Sequence, residues 1–390
     1  MSRKYMNLLL TLVNSVLKGT PLTDDEKAQF TPELIQKTAV IAEKHKLLPV
    51  VANALIVNKM LDPSDELFVK LRKLQLGQVY RTERMEYELG CMCDELEKAG
   101  IEFVPLKGSV VRKLYPEPWM RTSCDIDILV KKEDIENAAT VLTDKLEYLR
   151  ISESFHDIKF KTPSNVNIEL HFDLIEDHVK DNITAVLDDA WQHTAPIEGH
   201  RCHMQFDNEF FVLYHIIHMA KHMKHGGCGI RPFIDLWLVR KNFKLNDDVL
   251  NEMFRRSSVL QFAAVSYRLC DIWFANISHD QLTLEAEEFI LRSGVFGTTG
   301  NSAAIQRGKG KGKGKQFLNL MFLPSENLKL IYPNLKKHPW LLPFYQVKRW
   351  FRVFDRSKRG KITQRVDAND RISNETVDRV TKLLNDLELN

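Results

Sequence analysis

The run Asp125-Ile126-Asp127-Ile128-Leu129-Val130 narrows the folds open to this chain more than any other stretch. Its hydrophobic pattern has a period of two. In a strand, residues i and i+2 share a face, so Asp125 and Asp127 point one way while Ile126, Ile128 and Val130 point the other. The apolar set buries against a core, which leaves two carboxylates side by side on the opposite face. Two like charges that close are unfavourable unless a cation lies between them. Oxygen-only donors suit Mg²⁺ or Mn²⁺ better than zinc. Alone, the pattern fits equally an amphipathic edge strand with solvated acids.

The surroundings add chemistry. Ile101 to Leu106 reads as a strand, and Gly108-Ser109 follows it at the opening of a helix that runs from Ser109 to Leu114. Backbone N–H groups at such a junction can hold phosphate. Downstream, Asn165 to Leu174 alternates again. Val166, Ile168, Leu170 and Phe172 face the core; Asn167, Glu169, His171 and Asp173 face outward. If this strand lies beside the acidic one, Glu169 completes a cluster of three carboxylates, with Asp173 as the alternative third ligand. Such a cluster can hold two divalent ions for in-line phosphoryl or nucleotidyl transfer.

A Gly-Ser step after a strand, then D-x-D, then an acid on a later strand resembles the polymerase-beta-type nucleotidyltransferase superfamily. The chain is more closely similar to a family of bacterial proteins labelled uncharacterised nucleotidyltransferases. The residues that carry this are Leu106-Lys107-Gly108, Tyr115-Pro116, Arg121 followed by Asp125 to Val130, and Glu169-Leu170-His171. The similarity is tightest over about residues 100 to 175 and looser across the flanks. It implies an α+β fold: a polymerase-beta-like nucleotidyltransferase domain with a mixed sheet, flanked by N- and C-terminal helical regions. It implies that Asp125, Asp127 and Glu169 are catalytic and bind Mg²⁺ (or Mn²⁺), with Glu169 helping to deprotonate the acceptor. Gly108 and Ser109 would contact the triphosphate. Lys107 and Arg121 would be phosphate partners, each equally able to serve in a structural ion pair. The implied reaction moves NMP from an NTP to a hydroxyl acceptor and releases pyrophosphate. The acceptor stays open between a small molecule, RNA and protein.

The rest of the chain reads as flanks. Residues 1–99 are a helical region, with a capping box at Thr23 to Glu26, an N-cap at Thr31 before Pro32, and one long helix from Ser64 to Lys98, or two broken near Gly77. Residues 100–198 form the catalytic domain, with further strands at Phe155 to Lys161 and Asn165 to Leu174 and a helix from Lys132 to Leu146. Residues 199–306 are helical, and residues 307–390 hold a flexible basic loop and an aromatic and basic helical segment. The glycine-lysine run from Gly308 to Lys315 is low in complexity and expected not to order itself. That arm, or the segment Pro339 to Arg359, offers weak contact to nucleic acid or a membrane surface, against docking of its aromatic face on the helical core.

The net charge of +3 gives no support to nucleic-acid binding by itself. Six cysteines without a CxxC pair point to reduced thiols and a cytoplasmic protein. The start, MSRKYMNLLLTLVNSVLKG, superficially resembles a signal peptide, but Asn14, Ser15 and Lys18 interrupt it. No run reaches the ~18 apolar residues of a membrane span. One further constellation stands out: His215, His218, His222 and His225 share a helical face, with Cys228 just beyond. It could line the cleft, with His222, Arg231 and Asp235 touching nucleotide or acceptor, it could serve helix packing with surface histidines, or it could centre a zinc-dependent hydrolase. A catalytically inactive nucleotide- or nucleic-acid-binding protein of the same fold is the remaining alternative.

Overall fold

The computed structural model describes residues 3–154, 156–175, 182–295, 297–309, 334–353 and 372–389, with isolated positions between 322 and 332. The chain opens with α1 (Arg3–Leu17), α2 (Asp24–Ala28), α3 (Pro32–Lys44) and α4 (Leu48–Val57), then the 34-residue α5 (Glu66–Ala99). Local chemistry sets these boundaries. Thr23 and Glu26 cap α2 reciprocally, and Thr31 caps α3 with Pro32 at its first position, where a missing N–H costs nothing. α5 passes Gly77 unbroken, so the region is one helix. It stops at Gly100, whose φ of +71° lets the Ile101 N–H reach the Leu96 carbonyl at 3.1 Å.

A mixed five-stranded sheet follows, which makes the fold α+β. Its strands are β1 (Phe103–Pro105), β2 (Asp125–Val130), β3 (Leu149–Glu153), β4 (Asp157–Lys161) and β5 (Asn167–His171); α6 (Lys107–Val111) precedes β2 and α7 (Ile135–Leu146) follows it. The spatial order is β1-β2-β5-β4-β3. β2 and β5 pair in parallel, and the other neighbours pair antiparallel.

Several expectations need correction. The helix expected over Ser109 to Leu114 begins at Lys107 and is α-helical only to Val111, then tightens to a 3-10 turn over Arg112–Leu114. The strand expected from Phe155 starts at Asp157, Phe155 itself lying outside the described residues. β3 was not foreseen: all five of its residues are exposed, and its alternation of Leu149 and Ile151 with Arg150 and Ser152 is too short to stand out.

The apolar face of the sheet, including Phe103, Ile126, Ile128, Phe160, Ile168 and Leu170, packs with Met85, Leu89, Met92 and Leu96 of α5 and with Ala138, Ala139 and Leu142 of α7. α5 therefore completes the core under the sheet. On the other face, Val104, Leu106 and Leu129 join the large helical core. The chain reaches that core through the hairpin β6 (Thr194–Pro196) and β7 (Met204–Phe206), then α8 (Asn208–His225), α9 (Ile230–Asn242), α10 (Asp247–Arg256), α11 (Leu260–Ala275), α12 (Gln281–Ser293) and α13 (Thr299–Gly308). The Glu97 carboxylate at the end of α5 accepts the N–H groups of Arg201, Cys202 and His203 at 2.8, 2.9 and 2.9 Å, which ties the β6–β7 hairpin to the sheet.

Gly308 and Lys309 close α13 rather than starting a disordered run; residues 310–315 lie outside the described residues. Among the described residues, the aromatic face near the C-terminus does not join the helical core. Tyr345, on the helix Leu342–Val353, packs in a small separate cluster with Leu328, Tyr332 and Leu335. Trp340 and Phe344 are exposed, and residues 354–359 lie outside the described residues.

Candidate active site

Strand register alone gathers the acids. Asp127 lies opposite Glu169, and Asp125 opposite Asn167. β4 extends the rows: Lys161 opposes Asn167, Lys159 opposes Glu169, and Asp157 opposes His171. Directly opposed residues on neighbouring strands share a face. The polar face of the sheet is therefore a grid whose rows are Asp125, Asn167, Lys161; then Asp127, Glu169, Lys159; then Leu129, His171, Asp157.

The grid is densely connected. His171 Nε2 lies 3.4 Å from Asp127 Oδ1 and 3.7 Å from Glu169 Oε2. The Lys159 ammonium pairs with Glu169 Oε1 and lies 3.4 Å from Asp157 Oδ2. Asp157 is fully buried and its Oδ1 accepts the Ser154 hydroxyl at 2.5 Å. Its Oδ2 has no hydrogen bond, only the nearby Lys159 and, at 3.6 Å, His156 Nε2. Among the described residues, two sets bring three metal-ligand atoms within 4.8 Å of one another: Asp127, Glu169 and His171, and His156, Asp157 and His171.

Charge follows this arrangement. Burial, then the charges of Asp127 and Glu169, push the Asp125 carboxyl up to about 6. Burial works on Asp127 in the same direction, but the hydrogen bond and charge of His171, and then Lys107, hold it below the ordinary carboxylate value. Burial opposes protonation of His171, yet Asp127 and Glu169 keep its pKa above the usual imidazole value.

The residues expected at the phosphates sit beside this grid in different roles. The Lys107 ammonium lies 4.3 Å over the Tyr214 ring of α8. Burial draws its pKa well below the ordinary lysine value, against the pull of Asp127. Ser109 is buried; its N–H is spent on the Leu106 carbonyl at 3.0 Å, and its Oγ has no hydrogen bond. A Cβ at Gly108 would meet Ser123 Oγ at 3.3 Å and Arg121 Nη1 at 3.4 Å, so the glycine makes room for the arginine. Arg121 is in a buried, two-pronged ion pair, its Nε and Nη2 donating to Asp235 at 3.0 and 2.9 Å. The Tyr115 hydroxyl donates to the same carboxylate at 2.8 Å, and Arg231 Nη1 donates to the Thr122 carbonyl at 2.8 Å. Of the two roles open to Arg121, the geometry shows the ion pair, which fixes the entry to β2.

The histidines of α8 diverge. His215 is buried on the Pro232 carbonyl at 2.8 Å, and exposed His225 bonds the Lys221 carbonyl at 2.7 Å. His218 and His222 face each other through Nε2 atoms 3.0 Å apart. Burial, then Lys107, lowers both pKa values, that of His222 to about 4. Neither three-ligand set includes any of these four. Asp173 accepts the Ile175 N–H at 3.2 Å beyond the end of β5. A hollow of about 260 Å³ lined by Tyr80, Arg84, Met85, Cys124 and Val166 lies just before the start of β2 and β5. Hollows of about 610 and 550 Å³ lie elsewhere, against α1.

Lys159 and Asp157 were missed at the sequence level, and their signal was present. The run Asp157-Ile158-Lys159-Phe160-Lys161 alternates like β2 and β5, but nothing local tells which strand it pairs with.

A family model described as uncharacterised nucleotidyltransferase matches residues 32–275. No curated protein and no solved structure matches the chain.

Proposed function

The chain belongs to the uncharacterised nucleotidyltransferase family, and on that premise we propose that it moves NMP from an NTP to a hydroxyl acceptor with release of pyrophosphate, using Mg²⁺ or Mn²⁺. The observation that carries this reading is the parallel register of β2 and β5, which sets Asp127 against Glu169 with Asp125 one row away. The donor set fits a hard cation. It is rich in oxygen, and burial, then the like charges of Asp127 and Glu169, push Asp125 up to about 6. Asp125 and Asp127 would hold the ion, with Glu169 as the third carboxylate. When bound, such an ion neutralises charge on a triphosphate and makes a nearby hydroxyl more acidic.

The protein's own groups supply the rest. Lys107, stacked on Tyr214 and partly buried, offers a phosphate a positive charge in a setting where water screens it poorly. Gly108, next in α6, would let a phosphate approach the backbone there. Arg121 acts at one remove: bound to Asp235 and Tyr115, it locks the loop that delivers Asp125 and Asp127. The Lys159 ammonium is paired with Glu169.

The test is a single substitution. Asp127→Asn removes a charge at constant volume, so labelled NMP transfer into acceptors of a cell extract should fall on the order of a hundredfold or more, with an unchanged circular dichroism spectrum. Full activity in that variant would reject the carboxylate assignment. Neither labelled product nor nucleotide binding by the wild type would favour a protein that keeps the fold without the chemistry.

A further inference from the structure

We infer that Lys159 stands in for a second divalent cation, so that the site takes one metal ion, at its Asp125–Asp127 end. This rests on the carboxylate reading above and refines it by fixing the number of ions and where positive charge is built in.

The polar face of the sheet carries four acids: Asp125, Asp127, Glu169 and Asp157. The Lys159 ammonium lies between two of them, paired with Glu169 Oε1 and 3.4 Å from Asp157 Oδ2. Register fixes it there, because Lys159 opposes Glu169 on one side and Ser152 on the other. The lysine side chain is 44% exposed, and its ammonium is held between the Glu169 and Asp157 carboxylates. Asp157 is fully buried and its Oδ2 accepts no hydrogen bond, so an ammonium that left would leave that buried oxygen to the imidazoles of His156 and His171. A second divalent ion on Glu169 would have to displace that ammonium or sit against it, like charge on like.

The other end is different. Asp125 faces the neutral amide Asn167 and has no ion pair among the described residues. The uncompensated charge is there, on Asp125, beside an Asp127 that has His171 Nε2 at 3.4 Å, and that is where an ion is needed. One end of the grid thus exchanges its cation with solvent, while the other carries a covalently attached one that no chelator removes.

Titration with Mn²⁺ alone, free ion read by electron paramagnetic resonance, tests this without reference to turnover. The wild type and Lys159→Arg should each bind one Mn²⁺ per chain. Lys159→Gln, which leaves Glu169 and Asp157 facing a neutral amide, should bind two. Asp125→Asn combined with Asp127→Asn should bind none in the wild-type background. Two ions in the wild type, or one in Lys159→Gln with native circular dichroism, would overturn the role of Lys159 while leaving the carboxylate reading intact. No Mn²⁺ bound by the wild type would remove that reading as well. Should Lys159→Gln fail to fold, the comparison of wild type with Lys159→Arg still decides, since two ions in either contradicts the inference.

Discussion

Asp235 shows how far a residue's role depends on partners distant in the chain. Its carboxylate receives two N–H groups from Arg121 and the hydroxyl of Tyr115, and all three residues are buried. Burial alone would raise its pKa, but Arg121 holds it below the ordinary value. Removing one partner of a buried pair leaves the other charge uncompensated, which costs about 3–5 kcal/mol. Asp235→Ala should therefore lose roughly that much stability, read as a shift in the denaturant midpoint at constant slope. An equally stable variant would mean that the guanidinium finds water or another acceptor. Asp125, Asp127 and Glu169 could be picked out because each alternates with apolar neighbours on its own strand. Arg121 looked equally like a phosphate ligand and an ion-pair partner. Its partner lies 114 residues away, and no local pattern records that distance.

At the level of elements, period and capping decide what a sequence discloses. α5 was legible because its apolar residues recur at helical spacing and Gly100 ends it. Gly100 has a φ of +71°, and an added Cβ would meet nothing within 4 Å. Gly100→Ala should thus cost only the left-handed backbone penalty, roughly 1–2 kcal/mol, measurable by thermal melting. A cost near zero would show that α5 can end by another route. β2 and β5 were legible for the same reason in a different period, and their parallel pairing is what the site needs. β3 was not, because its alternation covers only Leu149 to Ser152 and buries neither face. β4 lies between these cases. Its alternation was visible, but its contribution of Lys159 and Asp157 to the acidic face depends on sheet order, which nothing local encodes.

Across the whole molecule, buried histidines join helices that are far apart in sequence. His45, at the end of α3, accepts the Ile230 N–H of α9 at 3.3 Å through Nδ1 and so donates from Nε2 to the Leu291 carbonyl of α12, also at 3.3 Å. Burial, then Lys44, lowers its pKa to about 4; burial does the same to His215, against the pull of Asp235. Both are neutral in the fold, whereas in the unfolded chain they titrate near the ordinary imidazole value of about 6.5. Between those values the unfolded state binds more protons, so stability falls as pH drops from about 6.5 to about 4, by up to roughly 1.4 kcal/mol per pH unit for each histidine. Denaturant melts across that range should show a shallower slope for His45→Gln than for the wild type; parallel slopes would assign the loss to other groups. The open side of the sheet bears on a different property, how this protein behaves when crowded with itself. β3 presents Leu149 and Ile151 to solvent along an unpaired ladder. The register shift between Arg150 and Ser152, together with Arg150 bound to Glu136 and Glu153, bends and charges that edge, and such features block strand-to-strand stacking between chains. Arg150 is thus a guard against aggregation, though it touches none of the acids of the site.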